Sequence, residues 1–344
     1  SEIQTSDNTN KAITVDGGDL SGMMSVISKI KGTSLTGNFA INVTNATADQ
    51  ATSVQGLLAT NTKATLSTVS IDDTAENIAA NFKKLQDLAN TNNIGTVGVS
   101  EGEMTLTAAQ VDASPDLLKV SFVNDTANGS PVSITVTGVA ANKVGATVLS
   151  VNSNSDLAIS EIDVADDHTN LYANMAKLQA GAAGGLVKAI SVTDGGTIEI
   201  DETTVDDPKN SGTDIAYDGA DATTEFTANY KDFLAAMTGT YGIKITGISS
   251  EQIDDAYSNI TAASGTPTIS FGVEDDASHL QDNLANLQSY ADGTISANAG
   301  LHSIVVSGAD PLEIDVGQVH SAAAALSKLD TSAATPNLKI KDEA

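Results

Sequence analysis

Ile71-Asp-Asp-Thr-Ala-Glu-Asn-Ile-Ala-Ala-Asn-Phe-Lys-Lys-Leu-Gln86 occurs three times in this chain. It returns as Val164-Ala-Asp-Asp-His-Thr-Asn-Leu-Tyr-Ala-Asn-Met-Ala-Lys-Leu-Gln179, and again as Val273-Glu-Asp-Asp-Ala-Ser-His-Leu-Gln-Asp-Asn-Leu-Ala-Asn-Leu-Gln288. No copy needs a gap. Ile78, Phe82 and Leu85 match Leu171, Met175 and Leu178, and match Leu280, Leu284 and Leu287. Steps of four and three residues place each trio on one helix face. The β-branched residue at the start marks a strand end. The acids after it are N-cap candidates. Each copy therefore reads as a strand running into a capped amphipathic helix.

Two shorter phrases keep time with it. Ile41-Asn-Val-Thr44, Ile134-Thr-Val-Thr-Gly138 and Lys244-Ile-Thr-Gly247 each precede a copy; Val43, Val136 and Ile245 lie 28 residues before Ile71, Val164 and Val273. Met104-Thr-Leu-Thr107, Ile198-Glu-Ile-Asp201 and Leu312-Glu-Ile-Asp315 follow, starting 33, 34 and 39 residues after the same three positions. Strands about 28 residues apart with a helix between them demand crossovers, hence parallel pairing. The seven-residue step from Val97 to Met104 is too short for a crossover and implies a hairpin or a sharp corner.

The expected fold is α/β: a solenoid-like array of strand–helix repeats with a mainly parallel sheet, about three repeats of roughly 100 residues. The divisions read as 1–32, a partial repeat; 33–125, 126–236 and 237–330, three repeats with an insertion near 206–222 in the second; and 331–344, the start of a further repeat or a terminal strand. Helices are expected over Leu20–Ile30, Ala46–Leu58 and Val316–Leu329, and strands at Ala12–Val15, Phe39–Thr44, Leu66–Ile71, Ile94–Val99 and Leu338–Ile340.

Composition restricts the partners. Among 344 residues there are 44 acids against 16 bases, a net charge of −28, no Cys, no Trp and 3% aromatics. That field repels nucleic acid and anionic membrane surfaces. No stretch reaches the roughly 18 apolar residues a spanning helix needs. Without Cys there are no disulfides, and no His/Cys/carboxylate cluster has zinc spacing. No Gly-x-Ser-x-Gly, phosphate loop or dinucleotide fingerprint occurs, so no enzyme is expected.

The phrases Asp73-Thr-Ala-Glu-Asn-Ile-Ala-Ala-Asn81, Leu106-Thr-Ala-Ala-Gln-Val111 and Gly239-Thr-Tyr-Gly-Ile-Lys-Ile-Thr-Gly-Ile248 resemble repeats of very large secreted bacterial surface proteins, similar to S-layer, adhesin and RTX-type proteins. The resemblance implies an extracellular or cell-surface structural role and brings no catalytic residues with it. The RTX calcium nonapeptide is absent here, which argues against an ion-laddered β-roll.

Two sets of residues become candidates. Asp72, Asp73, Asp166, Asp167, Glu274, Asp275 and Asp276, with the turn acids Asp16 and Asp19, are placed where stacked carboxylates would bind Ca²⁺, or where they would only cap helices. Ile13, Val15 and Leu20, and Leu326, Leu338 and Ile340, are candidate contacts for end-to-end assembly of copies into a filament, fibre or layer, because the first and last strands read as open edges. The alternative is an adhesin segment that binds glycan or a surface, with Tyr217 in the insertion as its one aromatic. Asn81, Asn174 and Asn283 recur inside the three helices, where Asn is a poor former. They are expected to bond the backbone of a neighbouring element or a partner.

Overall fold

The computed structural model describes residues 11–22, 25, 39–58, 64–125, 129–201, 230–261, 267–330 and 338–341. The chain divides into two compact units, Ser1–Asp163 and Val164–Ala344. Both are α/β, with strand and helix alternating and strands pairing in parallel. No sheet closes into a barrel among the described residues.

The N-terminal unit contains β1 (Lys11–Asp16), β2 (Phe39–Ala46), α1 (Ala48–Leu58), β3 (Ala64–Asp73), α2 (Ala75–Asn90), β4 (Ile94–Val99), β5 (Met104–Thr107), α3 (Ala108–Asp112), β6 (Ser121–Asn124), β7 (Val132–Val139) and α4 (Val144–Asn152). Strand β8 (Leu157–Asp166) begins here and crosses the division. One sheet has the order β1–β2–β3–β4–β6. A second runs β5–β7–β8. The turn after β4 is therefore a corner and no hairpin, because β4 and β5 belong to different sheets. The chain sets down β5, goes back to pair β6 with β4, and then forward again to lay β7 beside β5. The two sheets are thus interlaced by the chain itself. Helix α2 buries Ile78, Phe82, Leu85 and Leu88. It starts at Thr74, whose side chain accepts from the Asn77 N–H.

The C-terminal unit continues with α5 (His168–Ala173), α6 (Met175–Ala183), β9 (Val187–Val192), β10 (Thr197–Asp201), α7 (Lys231–Ala236), β11 (Met237–Thr238), β12 (Gly242–Ile248) and α8 (Ile253–Thr261). Then come β13 (Thr268–Asp276), α9 (Ala277–Asp282), α10 (Leu284–Ala291), β14 (Ala299–Ser307), β15 (Leu312–Asp315), α11 (Val316–Ser321), α12 (Ala323–Leu326) and β16 (Leu338–Lys341). Here β9 pairs with β11, a four-stranded sheet runs β10–β12–β13–β14, and β15 pairs with β16. Corners again separate β9 from β10 and β14 from β15.

Backbone geometry keeps the period seen in the sequence. Among the described residues, positive φ occurs at Asn45, Gly138 and Gly247, near the ends of β2, β7 and β12. It occurs at Asn92, Gly185 and Gly293, after the helix of each sixteen-residue motif, and at Gly102, Gly195 and Gly308, in the corners. Gly129 and Gly239 precede β7 and β12. Among the described residues no positive φ falls outside these four sets. Pairing repeats as well: Ile13↔Ile41 with Val15↔Val43, Met104↔Ile134 with Leu106↔Val136, Ile198↔Ile243 with Ile200↔Ile245, and Leu312↔Leu338 with Ile314↔Ile340.

Three helices differ from expectation. The second and third motifs break where the first runs through, at Asn174 (φ −116°, ψ 11°) and Asn283 (φ −100°, ψ 7°). The span Val316–Leu329 is two short helices parted at Ala322 (φ −114°, ψ 25°), with Leu329 turned out to bridge Ile304. Backbone pairing ends the helical span before Leu329: the Asp330 N–H donates to the Ile304 carbonyl at 2.8 Å, where a helix through Leu329 would have turned it to the Leu326 carbonyl. Of the expected helix Leu20–Ile30, Met23, Met24, Ile27 and Ile30 lie outside the described residues. The 206–222 insertion with Tyr217 does too.

Candidate functional site

Of the acids singled out at the strand ends, Asp73, Asp166, Asp167, Asp275 and Asp276 are caps. Each motif's third residue turns back from the strand end to hold the start of its helix. Asp73 Oδ1 accepts from the Thr74 N–H and from Asn77 Nδ2, both at 2.8 Å, and its Oδ2 accepts from the Ala48 N–H at 2.9 Å. Asp166 Oδ1 accepts from the Asp167 N–H at 2.9 Å and Asn170 Nδ2 at 3.1 Å. Asp275 Oδ1 accepts from the Asp276 N–H at 2.9 Å, while its Oδ2 accepts from the Ser250 N–H at 2.9 Å and Ser250 Oγ at 2.7 Å. Asp73 and Asp275 are buried. Each joins its own helix to the N-terminus of the preceding one, α1 or α8, satisfying donors that a helix start leaves open.

The remaining acids divide. Asp167 caps α5 through the Asn170 N–H, and Asp276 caps α9 through the Ser278 and His279 N–H groups. These last bonds hold the Asp276 carboxyl below its usual range, with the His279 N–H the largest cause. Asp16 accepts from the Gly18 N–H and Asn45 Nδ2. Asp72, Glu274 and Asp19 are exposed.

One group among the described residues brings three metal-ligating side chains together: Asp275, Asp276 and His279. His279 Nδ1 lies 3.1 Å from Asp275 Oδ1 and 3.3 Å from Asp276 Oδ2. Hydrogen bonding to Asp275, followed by the charges of Asp275 and Asp276, raises the imidazole pKa. The protonated ring is thereby favoured beside the carboxylates, and the carboxylates already receive amide protons. Ser250 stands on the far oxygen of Asp275. The carboxylate therefore separates hydroxyl from imidazole, and a base-activated nucleophile needs those two in contact.

The recurrent Asn residues bond inward. Asn81, Asn174 and Asn283 donate through Nδ2 to the carbonyls of Asn77, Asn170 and His279, one turn back in their own helices, at 3.1, 3.0 and 3.0 Å. Only Asn283 also reaches a neighbouring element, at Ser250 Oγ. The expected bond to the backbone of an adjacent element is thus made by none of the three; Asn283 meets only the Ser250 hydroxyl.

The motif's last residue does more than the sequence reading assigned to it. Gln86 Oε1 accepts from the Leu117 N–H at 2.8 Å, Gln179 Oε1 from the Phe233 N–H at 2.7 Å, and Gln288 Oε1 from the Ala325 N–H at 3.0 Å. Each satisfies an N–H in the first turn of a later helical segment: the short turn Leu117–Lys119, α7 and α12. Its invariance across three copies was the available signal. Glu103 was missed altogether: it accepts from the Ser133, Thr135 and Ser160 hydroxyls, which lower its carboxyl pKa, Ser160 most.

The assembly candidates also divide. Val15 and Leu20 are buried and Ile13 and Leu326 half-buried. Leu338 and Ile340 are 43% and 55% exposed. Lys339 and Lys341 of β16 both pair with Glu313 on β15, which holds that carboxyl down at about 2, the Lys339 hydrogen bond leading.

Compared with known proteins, the chain matches no family model, no curated protein and no solved structure.

Proposed function

We propose that this chain is an extracellular structural protein: an array of three interlaced α/β repeats that assembles end to end, with copies of itself, into a filament or surface layer. The observation that carries the reading is the periodic backbone, with every described positive-φ residue falling in one of four recurring sets. A repeated scaffold whose polar recurrences are caps and crosslinks is built for mechanical continuity. The interlaced strands β5, β6 and β7 support this, because a sheet cannot leave without drawing its neighbour's strand with it.

The row of acids is assigned to helix capping, with calcium left no structural task at Asp73, Asp166 and Asp275. Assembly is assigned to β16, whose apolar side chains are exposed and which pairs on one side only among the described residues. An adhesin reading would want exposed aromatics grouped on one face. The aromatic group described here, Tyr290 with Phe271 and Tyr257, has Tyr290 buried at its centre and hydrogen-bonded to Asp254.

The test is removal of residues 337–344. The truncated chain is expected to keep its circular dichroism and lose filaments or sheets in negative-stain microscopy. Polymer that persists without β16 overturns the assignment.

A further inference from the structure

Between β4 and β7 the chain closes two parallel pairs whose connecting segments overlap. Strand β4 pairs with β6, from Thr96↔Ser121 to Val99↔Asn124, and β5 pairs with β7, from Met104↔Ile134 to Thr107↔Thr137. Along the chain, β5 lies between the partners of one pair and β6 between the partners of the other. The same interleaving recurs twice. Strand β9 pairs with β11 while β10 pairs with β12. Ile304 of β14 bridges Leu329 while β15 pairs with β16. All of these pairings are parallel. Each interleaved set lies within one unit of the chain: 94–139 in the first, 187–248 and 299–341 in the second.

We infer that each interleaved set is a clasp that bears tension along the chain, its two ladders sharing the load. Tension that enters at the N-terminal end of β4 and leaves at the C-terminal end of β7 has two routes. One runs along β4, round the corner at 100–103 into β5, and across the β5–β7 ladder. The other crosses the β4–β6 ladder and passes through the link 125–131 into β7. On both routes the pulled ends are the N-terminal end of one strand and the C-terminal end of its parallel partner. The force then runs along the ladder, and its evenly spaced hydrogen bonds resist together. If β4 paired with β5 and β6 with β7, the ladders would stand in series and the weaker would give first. Interleaved, they stand side by side, and the chain lengthens only when both have parted. The inference rests on the structural-protein reading and names where such a protein would carry load.

The chain has no Cys, so two introduced thiols are unique handles for single-molecule pulling of the full chain. Thr91→Cys with Asn142→Cys loads the first clasp along both routes. Glu101→Cys with Ser130→Cys pulls at matching ends, the C-terminal ends of β4 and β6 and the N-terminal ends of β5 and β7, so that each ladder opens bond by bond. All four positions are exposed. The first handles are expected to give a single rupture at about twice the force of the second or more, since forced unfolding is set by the barrier to unfolding. Equal forces in the two geometries overturn the proposal. A further chain carries a flexible insertion of about ten Gly and Ser residues between Gly129 and Ser130, which slackens the second route and leaves both ladders in place. Pulled by the first handles, it is expected to rupture in two steps, β5–β7 before β4–β6. A rupture that stays single overturns the load sharing. If circular dichroism shows that the insertion prevents folding, the two pulling geometries decide alone. If truncation at 337 abolishes polymer yet the two geometries give equal forces, the proposed function stands and the clasp falls. If the forces differ in a chain that never polymerises, the clasp stands and the proposed function falls.

Discussion

At the scale of single residues, one position shows how chemistry enters a repeated cap. Four residues after the capping Asp, the first two motifs place Asn77 and Asn170, whose amides donate to Asp73 and Asp166. The third places His279 against Asp275. An amide donates at every pH, whereas an imidazole donates most strongly as a cation. The folded pKa of His279 is raised, so its contribution is fully present below the unfolded value of about 6.5 and is lost as pH rises through the folded value. Three groups act on the ring: Asp275 and Asp276 at the end of β13, and Glu251 ahead of α8. The protection factor of the amides at the start of α9, exchange corrected for its own base catalysis, is therefore expected to fall between pH 5.5 and pH 8.5. His279→Asn, which restores the residue type of the other two motifs, is expected to flatten that dependence. An unchanged slope in the variant would remove His279 as the cause.

At the scale of elements, the three motifs announced their strand–helix passages because burial of a helix face obliges a 3.6-residue period. The parallel pairing followed from crossover length alone. The corner after β4 was left between two geometries, since chain length does not say whether two close strands share a sheet. Strand β6 was invisible: Ser121, Phe122, Val123 and Asn124 bury one side chain, too few for a pattern. The breaks at Asn174 and Asn283 could not be read either. The same Asn, with the same bond to the carbonyl one turn back, sits inside an unbroken α2. The capping role of the acids stood open beside calcium, because a carboxylate at a helix start satisfies either description until its proton donors are located.

One recurring element position gives a sharp comparison. Gly138 (φ +69°) and Asn45 (φ +53°) occupy the same place near the ends of β7 and β2, and a Cβ on Gly138 would meet nothing within 4 Å. The conformation alone penalises substitution there. Asn tolerates it and β-branched residues do not. Gly138→Asn is expected to leave urea stability within about 0.5 kcal/mol of the parent, and Gly138→Val to cost about 1–2 kcal/mol. Equal effects from the two would mean that packing, rather than φ, governs the position.

At the scale of the whole molecule, charge would set the conditions of the proposed assembly. Copies that each carry a net charge of −28 repel, and the repulsion between exposed charges falls as the screening length shrinks from about 30 Å at 0.01 M salt to about 8 Å at 0.15 M. Polymer is therefore expected to form more readily as ionic strength rises. Whether calcium does more than screen depends on the acid row. Asp73, Asp166 and Asp275 already accept from amide donors whose partial positive charge lies where a cation would have to sit. A calcium ion would need those caps broken before it gained ligands, at a cost of about 1 kcal/mol or more for each helix start. Turbidity and microscopy in CaCl₂ and in MgCl₂ at matched ionic strength are expected to agree. A threshold for Ca²⁺ far below that for Mg²⁺, reversed by a chelator, would show that the row is read by the ion and that capping is only its resting state.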